Sequence, residues 1–146
     1  MNDSLPEFDL EHYLPYQFTV IAARLSAALA EQYKSQFGIS IAEWRVLLNV
    51  GYSKDLSVRD IEQRVSLEKS KVSRAASKLQ TKGYLTKHID DGDRRLLKLA
   101  LTPKGSALLQ ELIPIADTYQ AKLLGQLGPQ KDTLIDALNF LMKETE

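Results

Sequence analysis

Lys71, Arg74, Lys78 and Lys82 recur at three- and four-residue spacing, with Ser70, Ser73 and Ser77 beside them. On an ideal helix at about 100° per residue, these cations form one stripe, while Val72, Ala76 and Leu79 gather on another side. One face is thus built for burial and the other for an anionic surface. Ammonium and guanidinium groups interleaved with hydroxyls suit the oxygens of a phosphate backbone, and an arginine fork also fits the acceptor edge of a guanine. Further along, Arg94 and Arg95 stand directly behind Asp90-Asp91-Gly92-Asp93. A turn of that composition can carry guanidinium groups at the tip of a hairpin. The competing reading of the helical stripe is an ordinary solvated charged face.

The distribution of charge favours the first reading. The 146 residues carry 19 Lys+Arg and 19 Asp+Glu, so the total argues for nothing. From Ser57 to Lys98, however, eleven cations face six acids, a surplus of five that the rest of the chain balances with an equal deficit. A basic segment mounted on an acidic frame marks a module with an anionic partner.

Other chemistries find little support. Cysteine is absent, which excludes disulfides, thiol nucleophiles, thiolate metal sites and thiol-oxidation sensing. His12 and His88 lack companion ligands, and the Asp90 to Asp93 run lacks the spacing and distal glutamate of a calcium loop. There is no glycine-rich phosphate cradle and no pair of carboxylates that stands apart from helix-surface acids, so no catalytic residue, metal or cofactor is expected. Residues 1–11 are acidic, without the basic start and apolar run of a signal peptide, and no apolar stretch approaches the roughly 18 residues of a membrane span. The sequence reads as a soluble, cytoplasmic protein with no membrane partner.

The elements that must hold these residues follow from periodicity and punctuation. After Pro15, Phe18, Ile21, Leu25, Ala28 and Gln32 follow helical spacing, and Val20, Ala23, Ala27 and Ala30 line a second side. That helix is too apolar all round to stand alone on a surface, which points to packing against its own domain on one side and against another helix, from this chain or a second subunit, on the other. Gly38 closes it, and Ser40 with Glu43 makes a capping box for a helix carrying Trp44, Val46, Leu47 and Val50. Ser57 with Asp60 begins a short helix with Val58, Ile61 and Val65; Ser66 and Leu67 break it; the cationic helix then runs from about Glu68 to Lys82, where Gly83 ends it. Two short helices joined by a tight turn match a helix-turn-helix, although the usual turn glycine is missing. Tyr84 to Ile89 and Leu97, Leu99, Leu101 read as the strands of a hairpin. Thr102 caps a long helix with Pro103 at its first position and Leu108, Leu112, Ile115, Tyr119, Leu123 and Leu127 along it, bent near Pro114. Leu134, Ala137, Leu138 and Leu141 supply a last amphipathic helix.

This order of elements resembles the multiple antibiotic resistance regulator (MarR) family of dimeric bacterial transcription factors, from about Tyr13 to Met142. The most specific likeness lies in Lys82-Gly83-Tyr84-Leu85, Asp90-Asp91-Gly92-Asp93-Arg94-Arg95 and Leu99-Ala100-Leu101-Thr102-Pro103-Lys104-Gly105. Phe37-Gly38-Ile39-Ser40 with Glu43-Trp44-Arg45-Val46-Leu47 is similar to the opening of the family's second helix.

The resemblance implies a mainly α fold with a small two-stranded antiparallel β-wing, a winged helix-turn-helix over residues 37–102, and a helical dimerisation platform from residues 1–36 and 103–146. It implies a homodimer that binds a pseudo-palindromic operator in double-stranded DNA and acts as a repressor, less often as an activator. Ser70, Lys71, Ser73 and Arg74 would lie nearest the bases or flanking phosphates, Lys78 would hold backbone phosphates, and Asp93, Arg94 and Arg95 would serve the wing in the minor groove. The family's Asp-x-Arg spacing favours Arg95 as the penetrating group. A small aromatic or anionic effector is also implied, where the platform meets the DNA-binding lobe; Arg24, Trp44 and Arg45 lie in segments that could line its pocket, although Trp44 also suits a core and the arginines suit structural ion pairs. The alternative is a winged helix used as a protein-interaction or RNA-binding module.

Overall fold

A computed structural model describes residues 4–53, 58–64, 69–89, 92 and 97–145. Helix α1 (Leu14–Phe37) starts with Pro15 in its first turn and ends at Gly38, which has φ 67° and ψ 25°. A left-handed residue at that position lets the Gly38 and Ile39 amides reach back to the Lys34 and Tyr33 carbonyls, and glycine adopts it without the steric cost of a Cβ. Helix α2 (Ile41–Tyr52) opens on the expected capping box: the Ser40 hydroxyl accepts the Glu43 N–H at 3.1 Å, and the Glu43 carboxylate accepts the Ser40 N–H at 3.3 Å.

The next two helices are α3 (Val58–Arg64) and α4 (Lys69–Thr81). The expected cap at Ser57 and the break at Ser66 and Leu67 lie outside the described residues. A two-stranded antiparallel sheet follows, β1 (Leu85–Ile89) and β2 (Leu97–Leu101), paired from Leu85 with Leu101 to Ile89 with Leu97. Tyr84, expected in the first strand, instead forms the link from α4: its N–H bonds to the Leu79 carbonyl, and its own carbonyl accepts the Thr102 N–H. Helix α5 (Pro103–Leu127) is capped by the Thr102 hydroxyl, which accepts the Gly105 N–H at 3.0 Å, and it continues through Pro114. A short 3-10 turn (Gly128–Gln130) leads to α6 (Lys131–Glu144).

Burial shows where this architecture holds together. Trp44, Val46 and Leu47 of α2, Ile61 of α3, Val72, Ala75, Ala76 and Leu79 of α4, Leu85 and Leu99 of the hairpin, and Leu108, Leu109 and Leu112 of α5 form one core. From α1 only Tyr33 is fully buried. Its ring lies 4.7 Å from that of Trp44, and its hydroxyl donates to the Leu112 carbonyl at 3.2 Å. Burial, with the Asp117 charge behind it, pushes the Tyr33 hydroxyl up to about 12. The phenol therefore stays protonated and keeps donating wherever the protein is folded at ordinary pH.

The terminal helices differ from that core. Phe18, Ile21 and Leu25 of α1, and Leu134, Leu138 and Phe140 of α6, are all exposed. Most of what makes α1 and α6 apolar is thus left uncovered by the chain itself.

Candidate nucleic-acid interface

Helix α4 divides as its spacing predicts. Val72, Ala76 and Leu79 are fully buried, with Ala75 beside them, while Ser70, Lys71, Arg74, Ser77 and Lys78 are exposed and Ser73 is half-buried. The apolar side is clamped against α2 and α3, which fixes the rotation of the helix about its axis. Its outward side can only be the hydroxyl and cation stripe. Within that stripe the Arg74 Nε donates to the Ser70 carbonyl at 3.3 Å, so the guanidinium lies along its own helix toward the N-terminal end.

Lys82 departs from the expected stripe. It follows the last residue of α4, where Gly83 takes φ 86° and turns the chain toward β1. Its ammonium bonds to the Glu43 carboxylate at 2.8 Å and to the Gly38 carbonyl at 3.0 Å. Glu43 is 4% exposed, and its other carboxylate oxygen serves the capping box. A carboxylate removed from water needs a partner of opposite charge, and Lys82 is drawn in to provide it. It is a structural cation.

Three contacts were not foreseen from sequence. Lys87, on β1, donates to the Ser77 hydroxyl at 3.0 Å and so ties the hairpin to the outward side of α4. At the root of the hairpin, the Thr102 hydroxyl donates to the Gly83 carbonyl at 2.6 Å and the Lys104 ammonium to the Lys82 carbonyl at 2.8 Å. In sequence Lys87 falls only within the first strand, and Lys104 only within a motif. Asp93, Arg94 and Arg95 lie outside the described residues; in sequence they fall between the paired residues Ile89 and Leu97.

The residues suggested for an effector site are not gathered. Trp44 is 6% exposed and belongs to the core, and Arg45 donates to the Ser26 hydroxyl at 3.3 Å, which joins α2 to α1. Arg24 lines a separate cavity of about 360 Å³ with Glu11, Tyr16 and Val20. Packing explains the split, because the ring stacking on Tyr33 turns Trp44 inward while Arg24 faces out from α1. Among the described residues no group of three or more His, Cys, Asp or Glu could hold a metal ion, and no helix is long and apolar enough to cross a membrane.

Comparison with known proteins agrees with this geometry. Residues 37–96 match the sequence model of the MarR family. The chain is 29% identical over 136 residues to the HTH-type transcriptional regulator SarZ of Staphylococcus saprophyticus, covering 93% of this chain and 86% of that protein. The fold is similar to a MarR/EmrR family transcriptional regulator from Acinetobacter sp. ADP1, with a TM-score of 0.82 and 27% identity over 94% of this chain and 98% of the other. BpsR of Bordetella bronchiseptica, whose DNA binding is regulated by 6-hydroxynicotinic acid, shares the fold with a TM-score of 0.78 at 20% identity, over 97% of this chain and 100% of its own. The Staphylococcus and Acinetobacter proteins are both transcriptional regulators.

Proposed function

We propose that this chain is a transcriptional regulator of the MarR type that works as a homodimer, each subunit laying α4 in the major groove of duplex DNA and the Asp93-Arg94-Arg95 segment in the neighbouring minor groove. The observation that carries this reading is the division of α4. Its buried side is locked by the core, and the exposed side presents Ser70, Lys71, Arg74 and Lys78, with Ser73 at its edge. Residues early in such a helix reach deepest, so Ser70, Lys71, Ser73 and Arg74 read base edges or flanking phosphates, and Lys78 holds the backbone.

The two kinds of contact have different signatures. Arg74→Ala is expected to weaken binding to an operator selected from random DNA by about 1–3 kcal/mol and to relax its base preference, whereas Lys78→Ala reduces the salt slope by about one with the preference intact. Fluorescence anisotropy across a salt series separates them. Unchanged operator affinity in both variants, with the fold retained, would remove α4 from the groove. A chain acting instead as a protein-interaction or RNA-binding module would show no sequence-selective duplex binding even as wild type.

Residues 37–102 then form the DNA-binding lobe, and residues 1–36 and 103–146 the dimerisation platform. The exposed apolar side chains of α1 and α6 support this division, since such patches on a monomer mark an interaction surface. The boundary at 103 separates roles and not packing, because Leu108, Leu109 and Leu112 belong to the shared core. Light scattering is expected to give about twice the 16.4 kDa chain mass at micromolar concentration. Leu138→Asp, which puts a carboxylate on the α6 face, shifts the protein toward monomer; a wild type that scatters as a monomer rejects the platform.

The dimer acts in the cytoplasm as a repressor by occupying its operator, and release by a small aromatic or anionic compound completes the cycle. Regulation of BpsR by 6-hydroxynicotinic acid supports that last element.

A further inference from the structure

The corner where α1, α2 and α4 meet forms an open cleft of about 670 Å³, lined by Lys34, Ser40, Glu43, Ser77, Lys78 and Lys82 among others. Three lysines and one carboxylate leave it with a cationic surplus. The carboxylate is already satisfied: the Glu43 oxygens are engaged by Lys82 and by the Ser40 N–H. Lys82 is likewise spent on Glu43 and the Gly38 carbonyl. What remains available for an anion is the pair Lys34 and Lys78, both exposed, one contributed by the last turn of α1 and the other by the exposed stripe of α4. Lys87, held at 3.0 Å by the Ser77 hydroxyl, adds a further ammonium at the rim.

We propose that this cleft is a docking site for a DNA backbone phosphate outside the bases read by α4, with Lys34 and Lys78 as its two cationic walls. The inference rests on α4 being the recognition helix, because the cleft shares Ser77 and Lys78 with its outward side and so continues that surface toward α1. The bound phosphate is a backbone group and not a free anion for a physical reason. The site is open and walled by flexible ammonium groups, which hold a singly charged phosphodiester already presented by the groove but offer none of the convergent amide donors that capture a small anion from water. Lys34, placed by sequence in the dimerisation region, thereby becomes a residue of the DNA interface. Its contribution is electrostatic, so it adds affinity that salt removes and leaves sequence preference alone.

The test uses the full-length protein and a duplex recovered from a random pool by the wild type, titrated from about 50 to 300 mM salt. Each phosphate contact contributes about 0.9 to the slope of log K against log salt. Lys34→Gln is expected to lower the slope by about one with an unchanged ratio of operator to scrambled-duplex affinity; Lys34→Arg restores it, and Lys122→Gln, on α5 outside this cavity, leaves it near the wild-type value. Ethylation interference then loses one phosphate from the protected set with Lys34→Gln. A Lys34→Gln slope equal to wild type overturns the proposal, even while Arg74→Ala still relaxes base preference. Saturable binding of inorganic phosphate that Lys34→Gln removes, without a change in DNA slope, assigns the cleft to a free anion and also overturns it. A wild type without sequence-selective binding fails at the earlier step, the assignment of α4.

Discussion

Gly105→Ala is expected to destabilise the fold by about 3 kcal/mol or more, toward the upper end of what overpacking costs. A Cβ placed on Gly105 would stand 2.1 Å from the Tyr84 carbonyl oxygen and 3.1 Å from its carbon. Both are backbone atoms, so no change of rotamer can relieve the overlap. The Tyr84 carbonyl also accepts the Thr102 N–H, and Thr102 caps α5, which leaves the strand, the cap and the helix no independent direction of retreat. For a chain of this size the loss corresponds to a fall of about 10 °C in Tm. Gly125→Ala supplies the contrast: it lies in the same helix with nothing within 4 Å of the new Cβ, and should be neutral or stabilise by up to about 1 kcal/mol. Thermal unfolding of the two variants decides the matter. Equal melting temperatures would mean that the joint between β1 and α5 is not tight.

The largest effect on DNA binding is expected from the segment between β1 and β2. Arg95→Ala should remove most specific binding, a loss of about a hundredfold or about 2.7 kcal/mol, while Arg94→Ala costs less and neither changes the dimer. A guanidinium inserted into a narrow A·T-rich minor groove gains from the enhanced negative potential there, and in the proposed wing Asp93 would limit its orientations. The loss should therefore depend on the flanks: large on operators with A·T steps where the wing docks, small where those steps are G·C. Anisotropy measurements on matched duplexes test both parts. An equal loss on every flank would show a plain phosphate contact, and wild-type affinity for Arg95→Ala would remove the wing from the interface.

Local signals in the sequence proved good guides wherever one turn of chain decided the outcome. Ser40 with Glu43, Thr102 with Pro103, Gly38 and Gly83 each mark a helix end through chemistry contained within a few residues, and each stands where expected. The two sides of α4 were legible for the same reason, since a 3.6-residue period is a local property. Long-range pairs were not. Lys82 and Glu43 are 39 residues apart, and nothing in the spacing of the α4 cations distinguishes the one recruited by a buried carboxylate. Tyr33 lies outside both stripes read along α1, yet it alone enters the core, because the relevant neighbours are Trp44 and the Leu112 carbonyl. Trp44 suited a core in sequence and lies in one, whereas Arg24 and Arg45 carried no local signal for their partners, and packing sends Arg45 to Ser26 and Arg24 to a different cavity.

The root of the hairpin has a mechanical consequence. Thr102 and Lys104, at the start of α5, grip the carbonyls of Gly83 and Lys82, at the end of α4, while Tyr84 is pinned on both its amide and its carbonyl. Helix α4 and the base of the wing therefore cannot turn separately from the first turn of α5 without breaking several bonds at once and opening the Gly105 contact. If α4 and the hairpin face DNA as proposed, a displacement of the first turn of α5 would reach them as the swing of a single lever, altering where each lobe lands and not how it is shaped.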